Sequence, residues 1–465
     1  MTTVQTMCTV AAMRREFIPL IAAAIAVGSC QPIGEAPGPT ASAPSPSTAI
    51  ATPAPSFTTP ASGALLPQSA GTVPDAGVLY LLGPDDTVYR YDGATGHLDV
   101  AAPGTTFDRV VSAGAYVAGR QSGLTLLRWD GTAEDVACGT GRVDRSPSGA
   151  CISSGTDGVF IQLPGDTAPR LALPPDWGAG DARWSPTADR LLLIRTIRPR
   201  PGPGMDPGQS ALWIRESDGR LRELYRPPGQ GVLTNLRWSP DGKSALVWRI
   251  GTTSNSFAAD GVETSALLVD IDTATVVDLG VVMSTTPQWG PDGSLAFVRG
   301  GGRMTWEHRE LIVRGVDGRE RLTAPSDSSH VALLPAWDAA SGRLAWVSGP
   351  SAPGSGNGGG YVDGLGAGQR VAIIDDGTSA SEVHCGEGRV VEGVRWSNEG
   401  TALLLLCRKP GTGARPLELW LYRLADGSAA PLVRGLVGDS VAGGFGFYGA
   451  QPSLFSIVAW SRAAG

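Results

Sequence analysis

A five-residue pattern that begins with tryptophan recurs along this chain and limits the folds open to it. The fullest copy is Trp-Ser-Pro-Asp-Gly at 238–242, and the copy at 289–293 has glycine in place of serine. Partial copies lie at 184–186, 337–338 and 396–400. Internal repetition at a period of about 50 residues is the signature of a solenoid or a propeller. One large repeat domain is therefore expected.

The Pro-Asp-Gly turn has a physical reason. Proline presets the first φ angle of a tight turn, aspartate caps the turn, and glycine accepts positive φ. An apolar run follows the turn, as at Ser244 to Ile250, and two further runs are joined by turns such as Val316-Asp317-Gly318. Their period-2 alternation and β-branched content indicate strands rather than helices. Each repeat is therefore predicted to be a four-stranded antiparallel meander.

These units resemble the WD40-like Pro-Asp (PD40) repeats of the bacterial TolB-type β-propellers, in which W-S-P-D-G occurs once per blade. The resemblance covers roughly residues 143 to 432 and implies an all-β propeller of four-stranded blades. Counting innermost strands predicts eight blades, with seven as the alternative and the last innermost strand near Val441 to Tyr448. Three N-terminal strands are left over to complete the final blade and close the ring, which removes exposed sheet edges: Val78 to Gly83, Thr87 to Asp92 and His97 to Ala101.

The first 30 residues have the features of an export signal. The basic pair Arg14-Arg15 precedes an apolar stretch, Phe17 to Gly28, that is too short to span a bilayer but suits a signal peptide. The string Val27-Gly28-Ser29-Cys30 resembles the lipobox of bacterial lipoproteins, which implies that Cys30 carries the lipid anchor. The chain is then expected to be exported and tethered to the cell membrane or outer membrane, facing the periplasm or exterior. An ordinary secretory signal with a chance cysteine is the alternative.

The composition divides the rest of the chain into two parts. Residues 31–72 are rich in Pro, Ala, Ser and Thr and hold almost no large apolar side chain, so a disordered linker is predicted there. Residues 73–465 are assigned to the propeller, after a signal peptide at 1–30. With a net charge of -7 and only 17% charged residues, the chain has no basic patch of the kind that nucleic-acid binding needs.

The connections within each repeat differ in length from one face to the other. One Trp per repeat is interpreted as packing between blades. The connections between strands two and three are long, for example Arg198 to Ser210 and Pro350 to Gln369, and they gather on one face. Such loops often carry binding surfaces, although neutral drift explains them equally well. The first candidate for ligand contact is the loop cluster that combines aromatic, acidic and imidazole side chains: Met304, Trp306, Glu307 and His308.

Four cysteines form two similar pairs. Cys138 and Cys151 flank one blade junction, and Cys385 and Cys407 flank a similar sequence. In an oxidising, exported setting we predict the disulfides Cys138 to Cys151 and Cys385 to Cys407, with free buried thiols as the alternative. Zinc is not expected, because C-x-x-C spacing is missing.

Two functions from different classes remain open. The favoured one is a non-catalytic, membrane-tethered propeller that binds a protein, peptide or envelope glycan through its long-loop face, with no cofactor. The alternative is a propeller hydrolase of lactonase or glycosidase type, which needs a metal or carboxylates gathered around the central channel. The carboxylates near predicted innermost strands are Asp144, Asp181, Glu392 and Asp439, and a polar channel lining explains them as well. The sequence contains no G-x-S-x-G motif of a serine hydrolase.

Overall fold

Antiparallel β-strands make up nearly all the regular structure, as the alternating pattern predicts. The computed structural model describes residues 66–461 except for these gaps: 84–86, 104, 112, 120–123, 137–141, 156–157, 174–176, 178, 199–207, 230, 251–263, 283–286, 301–307, 327–329, 351–370, 376, 378, 410–416 and 437–457. The signal peptide, Cys30 and most of the predicted linker lie outside these residues. Within the described part, no helix is long and apolar enough to cross a membrane.

Eight antiparallel sheets follow one another along the chain, and each is one blade of a propeller. Two short elements precede them, β1 (Gln68–Ser69) and a 3-10 helix (Pro74–Ala76). The first blade contains β2 (Val78–Leu82), β3 (Val88–Asp92) and β4 (His97–Ala102), together with β33 (Val458–Ser461) from the other end of the chain. The second contains β5 (Thr105–Val111), β6 (Gly114–Gly119), β7 (Leu124–Arg128) and β8 (Ala133–Val136). The third contains β9 (Arg142–Arg145), β10 (Cys151–Gly155), β11 (Gly158–Gln162) and β12 (Arg170–Leu173). The fourth contains β13 (Ala179–Trp184), β14 (Leu191–Arg198), β15 (Gln209–Arg215) and β16 (Leu221–Tyr225).

The later blades repeat the same meander from the channel outwards. The fifth contains β17 (Val232–Trp238), β18 (Ser244–Ile250), β19 (Thr264–Asp270) and β20 (Val276–Val281). The sixth contains β21 (Gln288–Trp289), β22 (Leu295–Arg299), β23 (Glu310–Arg314) and β24 (Glu320–Ala324). The seventh contains β25 (Val331–Trp337), β26 (Leu344–Gly349), β27 (Val371–Asp375) and β28 (Ala380–Val383). The eighth contains β29 (Val390–Trp396), β30 (Ala402–Arg408), β31 (Leu417–Arg423) and β32 (Ala429–Leu436), with β1 added on its outer edge.

The hydrophobic core is a ring of clusters, one at each junction between neighbouring blades. Each cluster combines side chains from two successive blades, and the sequence of clusters runs through all eight junctions. The cluster that joins the eighth blade to the first contains Leu404 and Leu419 on one side and Leu79, Tyr91 and Trp460 on the other. The structure therefore confirms an all-β propeller with eight blades and rules out the seven-blade alternative.

The two chain termini close the ring, although not at the predicted residues. The three N-terminal strands do share a blade with a C-terminal strand, which closes the ring. That innermost strand is β33, paired with β2 through Val78 and Ser461. The predicted strand near Val441 to Tyr448 lies outside the described residues. The folded part also begins before residue 73, because β1 pairs with β32 and Ala70 N–H donates to the main-chain oxygen of Leu432 at 2.9 Å.

The repeated tryptophan binds blade to blade, as its fixed position suggested. At three junctions its indole Nε1–H donates a hydrogen bond to the preceding blade. The acceptor is the main-chain oxygen of the residue directly before that blade's own repeated tryptophan. These pairs are Trp238 to Arg183 at 2.9 Å, Trp337 to Gln288 at 3.2 Å and Trp396 to Ala336 at 3.1 Å. Each bond adds about 1 kcal/mol to the burial of a large apolar ring.

The turn after each tryptophan is held by its own side chains. In the fifth blade Ser239 Oγ donates to Asp241 Oδ1 at 2.6 Å, and Lys243 N–H donates to the same oxygen at 3.1 Å. Gly242 has a φ of 70°, which favours glycine. These tight turns lie on one face of the ring. The connections between second and third strands lie on the other, which we call the long-loop face, and most of their residues are outside the described part.

Candidate functional site

The predicted loop cluster is described at only one of its four residues. Met304, Trp306 and Glu307 lie outside the described residues. His308 is exposed and has a φ of 51°, immediately before β23. The next residue, Arg309, is fully buried, and its guanidinium donates to the main-chain oxygen of Gly300. The described part therefore anchors the loop through Arg309 and leaves the ligand-contact hypothesis for this cluster untested.

Two of the four predicted channel carboxylates hold neighbouring elements together. Asp144 accepts hydrogen bonds from Arg145 N–H at 2.8 Å and from Trp184 N–H, in the next blade, at 2.7 Å. Glu392 is 3% exposed and accepts from the fully buried Arg408 Nε at 2.9 Å. These bonds fix strands, so neither carboxylate is well suited to proton transfer. Asp439 lies outside the described residues.

Asp181 differs from these two carboxylates. It lies on the innermost strand β13 at a bulge, and its side chain is 14% exposed. Its Oδ2 accepts a long hydrogen bond, 3.3 Å, from Leu236 N–H of the fifth blade. Its Oδ1 is buried, has no hydrogen-bond partner among the described residues, and lies 3.5 Å from Arg183 Nε. Among the described residues Oδ1 is therefore held only by its ion pair with Arg183, and a carboxylate oxygen without a hydrogen bond is a candidate for general acid–base chemistry.

An arginine between two tryptophans lies at the long-loop end of the same blade. The guanidinium carbon of Arg195 is 4.3 Å from the ring centroid of Trp177 and 5.9 Å from that of Trp213. The two rings meet edge to face at 5.2 Å. Arg195 Nε and Trp213 Nε1 are buried, and within the described part neither has a hydrogen-bond partner. The cluster therefore offers aromatic surface and hydrogen-bond donors to an acceptor-bearing group.

We call Trp177, Asp181, Arg183, Arg195 and Trp213 the fourth-blade site. It has two parts: Asp181 and Arg183 interact with the fifth blade, whereas Trp177 and Trp213 pack against the core cluster between the third and fourth blades. Of its five residues, the sequence singled out Asp181 as a carboxylate and Arg183 only as part of a turn motif. The other three come from a connection and two different strands, so no spacing in the sequence links them. They meet because Arg195 is paired with Ala179, near Trp177, and the strand bearing Trp213 lies on the far side of β14.

Arginines recur on the innermost strands at the position before the tryptophan. Burial lowers the pKa of Arg237, and the like charge of Arg183 lowers it further. Burial alone lowers the pKa of Arg395 to about 10. Both guanidinium groups remain charged near neutral pH, but at a desolvation cost. An anionic group that approached them would relieve part of that cost.

The cysteines are oxidised where they are described. Cys385 and Cys407 form a disulfide that joins the start of the eighth blade to the end of its second strand. Cys151 is also disulfide-bonded, and its predicted partner Cys138 lies outside the described residues. Over the described ranges there is no group of three or more His, Cys, Asp or Glu side chains that could hold a metal ion.

Comparisons with known proteins add structural likenesses at low identity. No family model and no curated protein matches the sequence. The dipeptidyl peptidase 4 of Porphyromonas gingivalis is 11% identical, with a TM-score of 0.51 over 78% of this chain and 59% of that one. An oligogalacturonate lyase from Vibrio parahaemolyticus is 12% identical over 78% and 86% of the two chains, with a TM-score of 0.41. A puromycin-hydrolysing peptidase from Mycobacterium tuberculosis is 17% identical over 70% and 46%, with a TM-score of 0.39.

The likeness to the dipeptidyl peptidase agrees with the propeller fold and bears on one interpretation. The chain spans less than two thirds of the length of the dipeptidyl peptidase it resembles. The dipeptidyl peptidase is an enzyme by its title, and this likeness contradicts the non-catalytic binding module favoured from the sequence. The loop lengths behind that interpretation describe one face of the ring and carry no information about chemistry, because fold and loop length alone do not determine function.

Proposed function

We propose that this propeller is a hydrolase that cleaves an acyl bond at the fourth-blade site, with Asp181 as its general base. The observation that carries the proposal is the buried Asp181 Oδ1, which has no hydrogen-bond partner in the described structure while Oδ2 is held by Leu236 N–H. A glycosidase needs a second carboxylate about 5 to 10 Å away. Asp144 and Glu392 are committed to structural bonds, so the candidate carboxylates within the described residues favour the acyl hydrolase over the glycosidase.

The residues divide the chemistry between them. Asp181 takes a proton from water as the water oxygen bonds to the acyl carbon, and it returns that proton to the leaving oxygen or nitrogen when the tetrahedral intermediate collapses. Arg183, whose Nε is 3.5 Å from Asp181, stabilises the negative charge that develops on the acyl oxygen. Arg195 and its two tryptophans bind an acceptor-bearing group of the substrate. The absence of a G-x-S-x-G motif in the sequence is consistent with water as the nucleophile.

The test uses the full chain and a matched pair of variants. We expect it to hydrolyse members of a panel of activated esters, lactones and dipeptidyl p-nitroanilides, the last included because of the likeness to a dipeptidyl peptidase. Asp181→Asn keeps an oxygen for Leu236 N–H but cannot accept the proton, so kcat should fall at least about 100-fold. Asp278→Asn, at an exposed residue that pairs with Arg249 at 3.4 Å, should leave kcat unchanged. Equal activity of the two variants would rule out the role given to Asp181.

A second variant separates binding from chemistry. Arg195→Met keeps much of the side-chain volume between Trp177 and Trp213 but removes the charge and the Nε–H donor. The expected result is a KM raised about tenfold or more with kcat largely retained, because the lost contact is made in both the ground state and the transition state. A fall in kcat with an unchanged KM would assign Arg195 to the chemical step instead.

The location of the protein remains a proposal drawn from its sequence. The lipobox-like string ending at Cys30 supports an exported lipoprotein. Cells that produce the chain and receive labelled palmitate should incorporate label into it, and Cys30→Ala should abolish incorporation and release the protein from the membrane fraction. A labelled Cys30→Ala variant would exclude this cysteine as the lipid acceptor.

A further inference from the structure

A cavity lies at the junction between the third and fourth blades, on the face of the ring that carries the tight turns. Its volume is about 370 Å³, within the range of small-molecule sites. The third blade contributes apolar side chains that include Ile161, Leu163 and Leu171, and the ion pair of Asp166 with Arg170 at 2.7 Å. The fourth blade contributes a polar wall that includes Trp184, Asp189 and Arg215. The fourth-blade site described above shares none of these residues.

Trp184 differs from Trp238, Trp337 and Trp396, whose indoles donate to the preceding blade. It is 5% exposed, and its indole Nε1–H is buried without a hydrogen-bond partner in the described structure. In the next blade the equivalent Trp238 donates to the main-chain oxygen of Arg183. In the third blade, the residue before the equivalent position is Asp144. Its carboxylate accepts a hydrogen bond from the main-chain N–H of Trp184, not from the indole. A buried indole donor is therefore left for another acceptor at the wall of the cavity.

Two charged side chains lie beside this indole and have no ion-pair partner within the described ranges. Trp184 is paired with Leu191, and Leu191 with Arg215, so all three point to the same side of the blade. The side chain of Arg215 makes no hydrogen bond or ion pair with described residues. Asp189, in the turn before Leu191, has a buried Oδ1 without a partner. Among the described residues, the cavity therefore combines a guanidinium and a carboxylate that have no ion-pair partner with an indole donor, opposite apolar side chains and the Asp166–Arg170 ion pair.

A cavity on the same face, between the fifth and sixth blades, shows that charged groups without a partner are not a general property of the repeat. It lies between the fifth and sixth blades, has a volume of about 420 Å³, and includes Arg314, the counterpart of Arg215. Arg314 lies 3.6 Å from Glu320, and Lys243 lies 4.0 Å from Asp241. Arg314 and Lys243, at the cavity between the fifth and sixth blades, therefore each have an acidic partner within the protein.

We propose that the cavity between the third and fourth blades binds a zwitterionic amino acid with an apolar side chain. Arg215 and the Trp184 indole N–H bind the α-carboxylate, and Asp189 binds the α-ammonium group. The apolar side chain packs against Leu163 and Leu171. The proposal depends on this cavity alone and stands or falls separately from the acyl hydrolase activity.

Calorimetric titration of the full chain with L-leucine tests it. We expect one molecule to bind per chain. L-Leucinamide lacks the carboxylate and 4-methylpentanoate lacks the amine, so each should bind about tenfold more weakly or not at all. Failure of L-leucine, L-phenylalanine and L-valine to bind would overturn the proposal, and so would equal affinities for L-leucine and its two analogues.

Variants then locate the site. Arg215→Gln and Asp189→Asn should each weaken L-leucine binding about tenfold or more, and Trp184→Phe should weaken it by a smaller factor because it removes one neutral donor. Arg314→Gln, at the compensated cavity, should leave the affinity unchanged. A loss in Arg314→Gln equal to that in Arg215→Gln would place the ligand elsewhere and refute the assignment. If a variant fails to fold, the comparison of L-leucine with its two analogues on the unaltered chain still decides.

Discussion

Replacing Asp338 tests how strongly the junction between the seventh and eighth blades depends on one buried carboxylate. Asp338 is fully buried and accepts hydrogen bonds from Ala340 N–H at 2.9 Å, from Ser341 Oγ, and from Arg343 Nη2 at 2.7 Å. Arg343 also donates to the main-chain oxygen of Gly400 in the next blade. Asp338 therefore positions the arginine that connects the two blades.

The expected loss follows from what Asp338→Ala leaves behind. Removal of one partner of a buried ion pair costs about 3–5 kcal/mol. Arg343 is 26% exposed and keeps its stacking at 4.5 Å over Trp396, so we expect the lower end, about 3 kcal/mol. At about 2 °C per kcal/mol for a large domain, the Tm should fall by about 6 °C. Differential scanning calorimetry measures it. Asp317→Ala, in an exposed pair with Arg319 at 3.5 Å, should change the Tm by less than about 1 °C.

The pH dependence gives this prediction a second readout with a defined sign. Burial by itself raises the pKa of Asp338, but the hydrogen bonds from Ser341, Arg343 and Ala340 outweigh it and hold the pKa below 3.8. A depressed folded-state pKa contributes stability above the unfolded-state pKa and loses it as the pH falls through the folded value. The Tm difference between the unaltered chain and Asp338→Ala should therefore be constant from pH 8 to 5 and shrink below about pH 4. A constant difference down to pH 3, or a fall of under 2 °C at pH 7, would refute the reasoning.

Three other perturbations test the structure at separate places. Cys385→Ser, which removes the disulfide to Cys407, should cost about 3 kcal/mol, seen as a lower urea midpoint, and reductant should lower the midpoint of this variant less than that of the unaltered chain, because the disulfide of Cys151 remains. Glu392→Gln should cost about 3–5 kcal/mol because the Arg408 guanidinium stays buried, and adding Arg408→Met should recover most of that loss in a double-mutant cycle. Trp238→Phe should cost about 1 kcal/mol beyond its packing change, measured as a Tm lower by about 2 °C, and an unchanged Tm would show that the indole bond adds nothing net.

The propeller was predictable because its signal is local and repeated. The turn at 238–242 fixes a strand reversal through its own side chains, so the sequence places strands on both sides of it without long-range information. The closing strand β33 was not predictable in the same way. It has four residues, Val458–Ser461, and its partner Val78–Leu82 lies at the other end of the folded part. Nothing local in either segment specifies that pairing.

The candidate sites were less predictable than the fold. Asp181 could be picked out as a carboxylate near an innermost strand, but only the structure distinguishes it from Asp144, whose oxygens are occupied. The stacking of Arg195 with Trp177 and Trp213 depends on strand register, which the sequence does not give at the bulge between Ala179 and Asp181. Composition and spacing report residue types, whereas the availability of a polar atom is a property of its neighbours.

A repeated sequence nevertheless gives one further signal about function. A position where the residue common to the other copies is replaced marks a place where the repeat departs from its usual structure. In the third blade Arg145 occupies the position that tryptophan holds in the fourth, and its Nη1 donates to Tyr116 Oη at 3.0 Å in the second blade. The preceding Asp144 accepts the main-chain N–H of Trp184, so the indole of Trp184 loses the acceptor that this position supplies elsewhere. Local rules are most often broken where function requires it. The junction between the third and fourth blades, where the repeat changes and where Trp184 Nε1 and Asp189 Oδ1 have no hydrogen-bond partner in the described structure, is therefore where a ligand should be sought first.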